Sequence, residues 1–146
     1  MIRSLLTLLA LAGAAQAQTY TWTETLEAIR QVETGGEPNE GIGARGDGGK
    51  AYGPFQVWEP YHRDAAERDK SLTDHNLCLT SRSYSERVVR AYMNRYARAS
   101  LRRLEAGKGT LKDVEVVSRI HNGGPRGASK DATLGYWAKV RREVIR

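Results

Sequence analysis

The sequence contains a single cysteine, Cys78, and only three histidines, His62, His75 and His121. One cysteine cannot form a disulfide bond within the chain, so the fold must depend on its core alone. The histidines are widely spaced, and no Cys-x-x-Cys or His-x-x-x-His pair occurs, so the ligand spacings typical of zinc sites are missing. We therefore expect no metal site, and we expect Cys78 to be buried as a small apolar side chain.

Other motifs of catalysis and of cofactor binding are also missing. The chain has no Gly-x-Ser-x-Gly elbow, which argues against a serine hydrolase, and no glycine-rich phosphate loop followed by lysine and a hydroxyl residue. It has no dense run of lysine and arginine interleaved with aromatics, the pattern typical of nucleic-acid binding. We expect neither a cofactor nor a nucleic-acid partner.

Long hydrophobic runs are limited to the N-terminus. Residues 1–17, MIRSLLTLLALAGAAQA, combine an early Arg3, the apolar stretch Leu5–Leu11 and a small-x-small end at Ala17. This pattern is typical of a secretory signal peptide, and it is shorter than the roughly 20 apolar residues of a membrane anchor. We predict a signal peptide over 1–17, a single domain over 18–146, and a secreted or periplasmic protein without stable membrane anchoring.

The chain of 146 residues carries a net charge of +6 at pH 7. A basic protein that is exported first meets anionic polymers such as the cell wall. This charge favours a polysaccharide partner of the wall. An inhibitor or a secretion apparatus as a further partner stays open.

Apolar periodicity predicts a mostly helical domain. A capping-box pattern at Thr21-x-x-Glu24 starts the first helix, and Thr110 can cap a later one that ends near His121. Between the helices, residues 34–50 are rich in glycine and fit at most a short hairpin around Ile42–Tyr52. The predicted helices are Trp22–Glu33, Ser83–Leu104, 111–121 and Thr133–Ile145.

Glu33 is the first candidate catalytic residue. It follows Leu26 by seven residues, which brings the two side chains to within about 20° on a helix, so its carboxyl group leaves the apolar side. A partly buried carboxyl group at a helix C-terminus is well suited to donate a proton. The alternative is a solvated residue at the end of a helix.

Asp47 is the second candidate. Its neighbours Arg45, Gly46, Gly48, Gly49 and Lys50 are polar or small, so we expect it to stay ionised. Two carboxyl groups in contrasting surroundings are the ingredients of glycoside hydrolysis. An aspartate among glycines is also a common turn residue.

Aromatic side chains follow in the stretch Ala51–His62, AYGPFQVWEPYH. Sugars present apolar ring faces and polar edges, so aromatic surface beside an amide suits them. Gly53 permits a tight backbone and Pro54 makes it rigid. We assign Phe55 and Val57 to the core. The other side chains are either core or the following sugar-binding residues: Tyr52, Gln56, Trp58 and Tyr61.

The stretch His121–Gly127, HNGGPRG, lies between two predicted helices. Its glycines allow the backbone to approach another surface closely, and the side chains of His121 and Asn122 can donate hydrogen bonds. The stretch is either a simple tight connection or one wall of a binding cleft.

Four pieces of the chain together resemble the invertebrate-type (i-type) lysozyme family, also called the destabilase family. They are VETGG (32–36), GDGGKAYGPFQVWEPYHRDA (46–65), AYMNRYA (91–97) and RIHNGGPRGASKDATLGYWAKV (119–140). The sequence is more loosely similar to the wider lysozyme-like superfamily, which includes soluble lytic transglycosylases. The resemblance implies an α+β, mostly α, lysozyme-like domain with a small β-hairpin region and a cleft beside the helix that carries Glu33.

The resemblance also implies an activity. Glu33 matches the family's general acid and Asp47 its second carboxylate in cleaving the β-1,4 bond between N-acetylmuramic acid and N-acetylglucosamine of peptidoglycan glycan strands. Gly53–Gln56 match a strand of the family, which predicts a strand there. His121, Asn122 and Gly123 match the far wall of the cleft. We add Tyr136, from the GYW piece, to the predicted substrate-binding residues.

The chain departs from the family at several points. Residues that stand where the motifs normally carry cysteine are Gly36, Tyr52, Ala65 and Ala128. The segment between Glu33 and Asp47 is also longer than in the family. Two alternatives to the muramidase follow: a lytic transglycosylase that uses Glu33 alone, and a peptidoglycan-binding protein without catalysis.

Overall fold

The computed structural model of the chain describes residues 17–146. The predicted signal peptide lies outside the described residues, except for Ala17. Within the described range, none of the helices combines the length and the apolar character that crossing a membrane requires.

Helices make up most of the described chain, and the strands are only two residues long. The strands are β1 (Arg45–Gly46) and β2 (Ala51–Tyr52). Short 3-10 turns occur at Pro38–Gly41, Asp47–Gly49, Gly127–Ser129 and Asp131–Thr133. The helices are α1 (Trp22–Thr34), α2 (Glu59–Ala66), α3 (Leu77–Thr80), α4 (Arg82–Tyr96), α5 (Arg98–Glu105), α6 (Leu111–Gly123) and α7 (Leu134–Val144).

The first helix begins as predicted. The Thr21 hydroxyl accepts from the backbone N–H of Glu24 at 3.2 Å, and the Glu24 carboxylate accepts from the Thr21 N–H at 2.7 Å, which completes the capping box. Leu26 and Ile29 are buried on the inner side of the helix. The prediction of this helix is confirmed, with its end one residue later, at Thr34.

The predicted hairpin is present but short. Arg45 pairs with Tyr52 and Gly46 with Ala51 in antiparallel register. The predicted strand over Gly53–Gln56 is wrong, because these residues form a tight turn closed by hydrogen bonds between Tyr52 and Val57. Only glycine fits at its start, since Gly53 has φ +69° and a Cβ there would clash with the Cys78 carbonyl oxygen.

The predicted helix Ser83–Leu104 is two helices, α4 and α5, which meet at Ala97. In one straight helix, the twelve steps from Val89 to Leu101 would turn these two side chains about 120° apart. Both are fully buried, so the chain breaks at Ala97, where φ is −139°, and directs both towards the core.

The start of α4 also differs from the predicted one. The Ser81 hydroxyl accepts from the backbone N–H of Tyr84 at 3.1 Å, so Ser81 caps the helix in place of Ser83. Glu86 accepts from Arg82 at 2.9 Å. The helix therefore begins at Arg82, one residue before its predicted start.

The core lies where α1, α4, α5, α6 and α7 meet around buried apolar side chains. Val114, Val117 and Ile120 place the inner side of α6 in it, and Val140 does the same for α7. Cys78 is fully buried among them, and burial raises the pKa of its thiol to about 11, which confirms its expected structural role.

Candidate active site

A cleft of about 400 Å³ opens beside the C-terminal end of α1. It collects seven of the ten residues predicted for the site. Tyr136 lies just behind it, and Tyr52 and Gly123 lie outside it. The predicted residues that line the cleft are Glu33, Asp47, Gln56, Trp58, Tyr61, His121 and Asn122.

Glu33 projects from the last turn of α1 with only 18% of its side chain exposed. Its Oε1 atom accepts a hydrogen bond of 2.8 Å from the hydroxyl of Tyr136, which α7 contributes. The same oxygen lies 3.4 Å from Nε2 of His121. One carboxyl oxygen of Glu33 is thus held by the protein interior.

His121 belongs to the last turn of α6 and is buried. Its Nε2 lies 3.0 Å from the carbonyl oxygen of Phe55, which can only accept, so Nε2 carries a hydrogen. Its Nδ1 lies 3.1 Å from the Tyr61 hydroxyl and accepts from it in the neutral imidazole. Both ring nitrogens are engaged by the protein, so His121 supports Glu33 and Tyr61 from behind.

The phenol groups of Tyr136 and Tyr61 lie near the carboxyl group of Glu33. Burial, and then the nearby carboxyl group of Glu33, raise the pKa of Tyr136 well above its usual value. Burial also raises the pKa of Tyr61, whose ring stacks on Tyr92 with centroids 3.6 Å apart. Both phenols therefore keep their hydrogen and remain donors throughout the neutral range.

Asp47 lies on the glycine-rich turn between β1 and β2 and is exposed. Its Oδ2 accepts from the indole N–H of Trp58 at 3.1 Å. Its φ is +49°, a left-handed conformation that aspartate tolerates better than most residues. Gly46 packs against the side-chain oxygen of Gln56, which would have to move to admit a Cβ at this position.

A hydrogen bond also links the end of α1 to the turn over residues 53–56. The hydroxyl of Thr34, the residue after Glu33, donates to the carbonyl oxygen of Pro54 at 2.9 Å. Pro54 lies in the turn that also carries Phe55 and Gln56. Thr34 is buried, so this link fixes the end of α1 against the aromatic wall.

The stretch HNGGPRG does not form a loop from its first residue, because α6 continues through Gly123. The helix ends at Gly124, where φ is +79°. Gly123 itself packs against the Thr133 side chain and leaves no room for a Cβ. Asn122, Gly124 and Pro125 line the cleft, so this stretch supplies one wall.

Tyr52, a predicted substrate-binding residue, lies in the neighbouring groove. Its ring stacks on His75 with centroids 4.2 Å apart. The guanidinium carbon of Arg45 lies 4.4 Å from the same ring centre. Two planar groups at these distances occupy opposite faces, so neither face of Tyr52 is free for a sugar.

Three further residues line the cleft that sequence reasoning missed, Pro60, Asp64 and Tyr92. Asp64 accepts from the Tyr96 hydroxyl at 2.7 Å, which orients a third carboxylate. The helical spacing from Pro60 and Tyr61 to Asp64 places them on one side of α2, and this spacing was a usable signal. For Tyr92, the sequence indicated a place in an apolar stripe of its helix and nothing that predicted a position in the cleft.

Within residues 17–146, no group of three or more His, Cys, Asp or Glu side chains is arranged to hold a metal ion. His62 and His75 serve structural contacts instead. His62 Nε2 lies 2.9 Å from the Tyr84 hydroxyl, and His75 Nε2 lies 2.8 Å from the Val57 carbonyl oxygen.

The sequence model of the Destabilase family matches residues 23–143. The chain belongs to this family. A lysozyme of Magallana gigas is 36% identical over 119 residues, which cover 81% of this chain and 77% of that relative. The Destabilase match includes Glu33, Asp47, His121 and Tyr136.

Solved structures agree with this family. The crystal structure of Tapes japonica lysozyme superposes with a TM-score of 0.63 and 30% identity, covering 86% of this chain and 93% of that one. Meretrix lusoria lysozyme, solved in complex with the protein PliI of Aeromonas hydrophila, gives a TM-score of 0.62 and 28% identity over 88% and 93% of the chains. This Destabilase member therefore has the predicted mostly helical lysozyme-like fold, and it is a lysozyme-like glycoside hydrolase.

Proposed function

We propose that the chain is a muramidase that hydrolyses the β-1,4 bond between N-acetylmuramic acid and N-acetylglucosamine in peptidoglycan. Glu33 is the general acid and Asp47 the second carboxylate. The observation that carries this proposal is the presence of both carboxylates in one cleft, one accepting from Tyr136 beside His121 and the other exposed beside Trp58.

The surroundings of Glu33 suggest where its proton sits. Oε1 accepts from Tyr136, whereas no side chain of residues 17–146 donates to Oε2. Because the hydroxyl already supplies a hydrogen to Oε1, the proton of the acid form resides on Oε2. That oxygen is free to protonate the glycosidic oxygen.

The reaction then follows from the two roles. As the bond between the anomeric carbon and the glycosidic oxygen breaks, Glu33 gives its proton to the leaving oxygen. Asp47 stabilises or attacks the positive charge that develops at the anomeric carbon. Water supplies a hydroxyl group to that carbon and returns a proton to Glu33.

Digestion of purified peptidoglycan tests the proposal. The wild-type chain should release fragments with ordinary reducing ends, detected by mass spectrometry. Glu33→Gln should reduce the rate by about 1000-fold, because glutamine keeps the shape of the side chain but has no acidic proton.

Other results of this digestion would contradict the assignment or indicate a different function. Undiminished activity of Glu33→Gln would falsify the assignment of the acid. Products one water lighter, with anhydro ends, indicate a transglycosylase that uses Glu33 without water attack. Retention on insoluble peptidoglycan without any released fragment indicates a binding protein.

We further propose that the enzyme acts outside the cytoplasm after cleavage near Ala17. Residues 17–19 are exposed and contain neither helix nor strand, which suits access by a peptidase. The N-terminal sequence of the exported protein tests this, and an exported protein that retains residues 1–17 would contradict it.

A further inference from the structure

A second groove, of about 600 Å³, adjoins the catalytic cleft. Trp58 and Pro60 line both, so they form a shared wall. The other side of this groove includes Lys50, His75 and Asn76. We call it the Lys50 groove. A substrate branch that leaves the cleft across Trp58 enters it directly.

Most polar side chains in the Lys50 groove already have partners. His75 Nε2 contacts the Val57 carbonyl oxygen at 2.8 Å, and the Asn76 amide donates to Asp74 at 3.0 Å. Glu59 is paired with Arg63 at 3.3 Å. These groups are part of the wall and are not available to hold a charged ligand.

Lys50 is different. It is exposed, and the ion pairs formed by lysines within residues 17–146 are those of Lys70 and Lys112, so Lys50 has no carboxylate partner there. Its ammonium lies 5.8 Å from the ring centre of Trp58, at the shared wall. A positive charge that forms no ion pair with the described residues is thus placed where the two grooves meet.

We propose that the Lys50 groove binds the peptide stem of the peptidoglycan strand whose glycan occupies the cleft, and that Lys50 pairs with a stem carboxylate. The inference rests on the proposed function. A stem branches sideways from each muramyl residue, and its carboxylates are the anionic groups that match this lysine. The volume of the groove accommodates several residues of such a stem.

A further stretch of glycan is the competing occupant, and the aromatic geometry argues against it. A sugar ring binds an aromatic side chain through an open face. Arg45 and His75 cover both faces of Tyr52, and Lys50 lies over Trp58. The groove therefore offers charge and partly apolar walls, which suit a peptide better than a sugar.

The test compares two soluble substrates, glycan strands with intact stems and the same strands after an amidase has removed the stems. The stem-free strands keep the lactyl carboxylate on the muramyl ring. For Lys50→Gln, kcat/KM on stem-bearing strands should fall about three- to fivefold, the range of an exposed ion pair. On stem-free strands it should stay at the wild-type value.

Two variants serve as controls. Lys50→Arg should keep the wild-type preference for stems because it keeps the charge. Lys108→Gln makes the same charge change at an exposed site that lines neither groove, and it should act like wild type on both substrates. The preference of the wild type for stems should also shrink in high salt, which screens an exposed pair.

Equal losses on both substrates, or no loss on either, would overturn the stem assignment. Failure of the proposed function gives a different result, because wild-type protein would then cleave neither substrate.

Discussion

Glu33 and Asp47 line the same cleft, yet the chain holds them by different means. Glu33 is mostly buried and is contacted by Tyr136 and His121 from two distant helices. Asp47 is exposed on a turn rich in glycine and is held by one indole N–H from Trp58. Under the proposed function, these contrasting surroundings suit the two carboxyl groups to two tasks, proton donation in a restricted interior and charge stabilisation at an open edge.

The largest effect expected on the exposed side comes from Asp47→Asn. This change removes the negative charge while it keeps the size of the side chain, and kcat should fall about 100-fold. Steady-state rates on soluble peptidoglycan strands measure it. Wild-type rates in Asp47→Asn would remove Asp47 from the mechanism and leave Glu33 as the sole catalytic carboxylate.

A smaller effect is expected from a change at Tyr136, which lies behind Glu33. Tyr136→Phe removes the donor to Oε1 but keeps the ring, so kcat/KM should fall about tenfold, the value of one hydrogen bond to a charged group. Tyr84→Phe is the control, because it likewise removes the hydroxyl of a buried tyrosine, one that contacts His62 and the Asp74 backbone N–H and does not line the cleft.

The melting temperature distinguishes the two roles of Tyr136. A positioning role predicts a loss of activity in Tyr136→Phe with a thermal shift no larger than that of the control. A loss of activity that merely follows a loss of stability would contradict it.

The smallest effect should come from Trp58→Phe. Phenylalanine keeps an aromatic wall but has no N–H for Asp47, so the rate should fall about threefold, the value of one exposed neutral donor. In the Asp47→Asn background the same change should have no further effect on the chemical step. Additive losses would show that the indole acts on substrate and not through Asp47.

The sequence predicted the orientation of Glu33 more fully than the roles of Tyr136 and His121, because that orientation depends on local helical spacing. Helical spacing from Leu26 was sufficient to place its carboxyl group on the inner side of α1. The roles of Tyr136 and His121 depend on contacts with residues 103 and 66 positions away, Glu33 and Phe55. No local pattern encodes such a pairing, so these roles appear only once the helices are packed.

Tyr52 shows the opposite case, in which a local pattern left two alternatives open. An aromatic residue beside a glycine turn fitted either the core or a sugar-binding surface. The hairpin register places Arg45 directly across from Tyr52, and α3 is preceded by His75, which covers the other face. The composition of the stretch was informative, but its exposure depended on cross-strand neighbours.

The break at Ala97 is a second case in which a local pattern was only partly informative. The apolar residues on both sides of it fit helices, and this part of the prediction is confirmed. The angular drift between Val89 and Leu101 was present in the sequence and would have indicated two helices. Because helical propensity continues through Ala97, propensity alone did not reveal the change of direction between α4 and α5.

The hydrogen bond between Tyr136 and Glu33 joins the last helix to the first. During synthesis, α1 leaves the ribosome long before α7 exists, so a nascent chain lacks the donor that holds the carboxyl group. α7 also contributes the fully buried Val140 to the core, so the last helix to be synthesised both completes the packing and supplies the donor to Glu33.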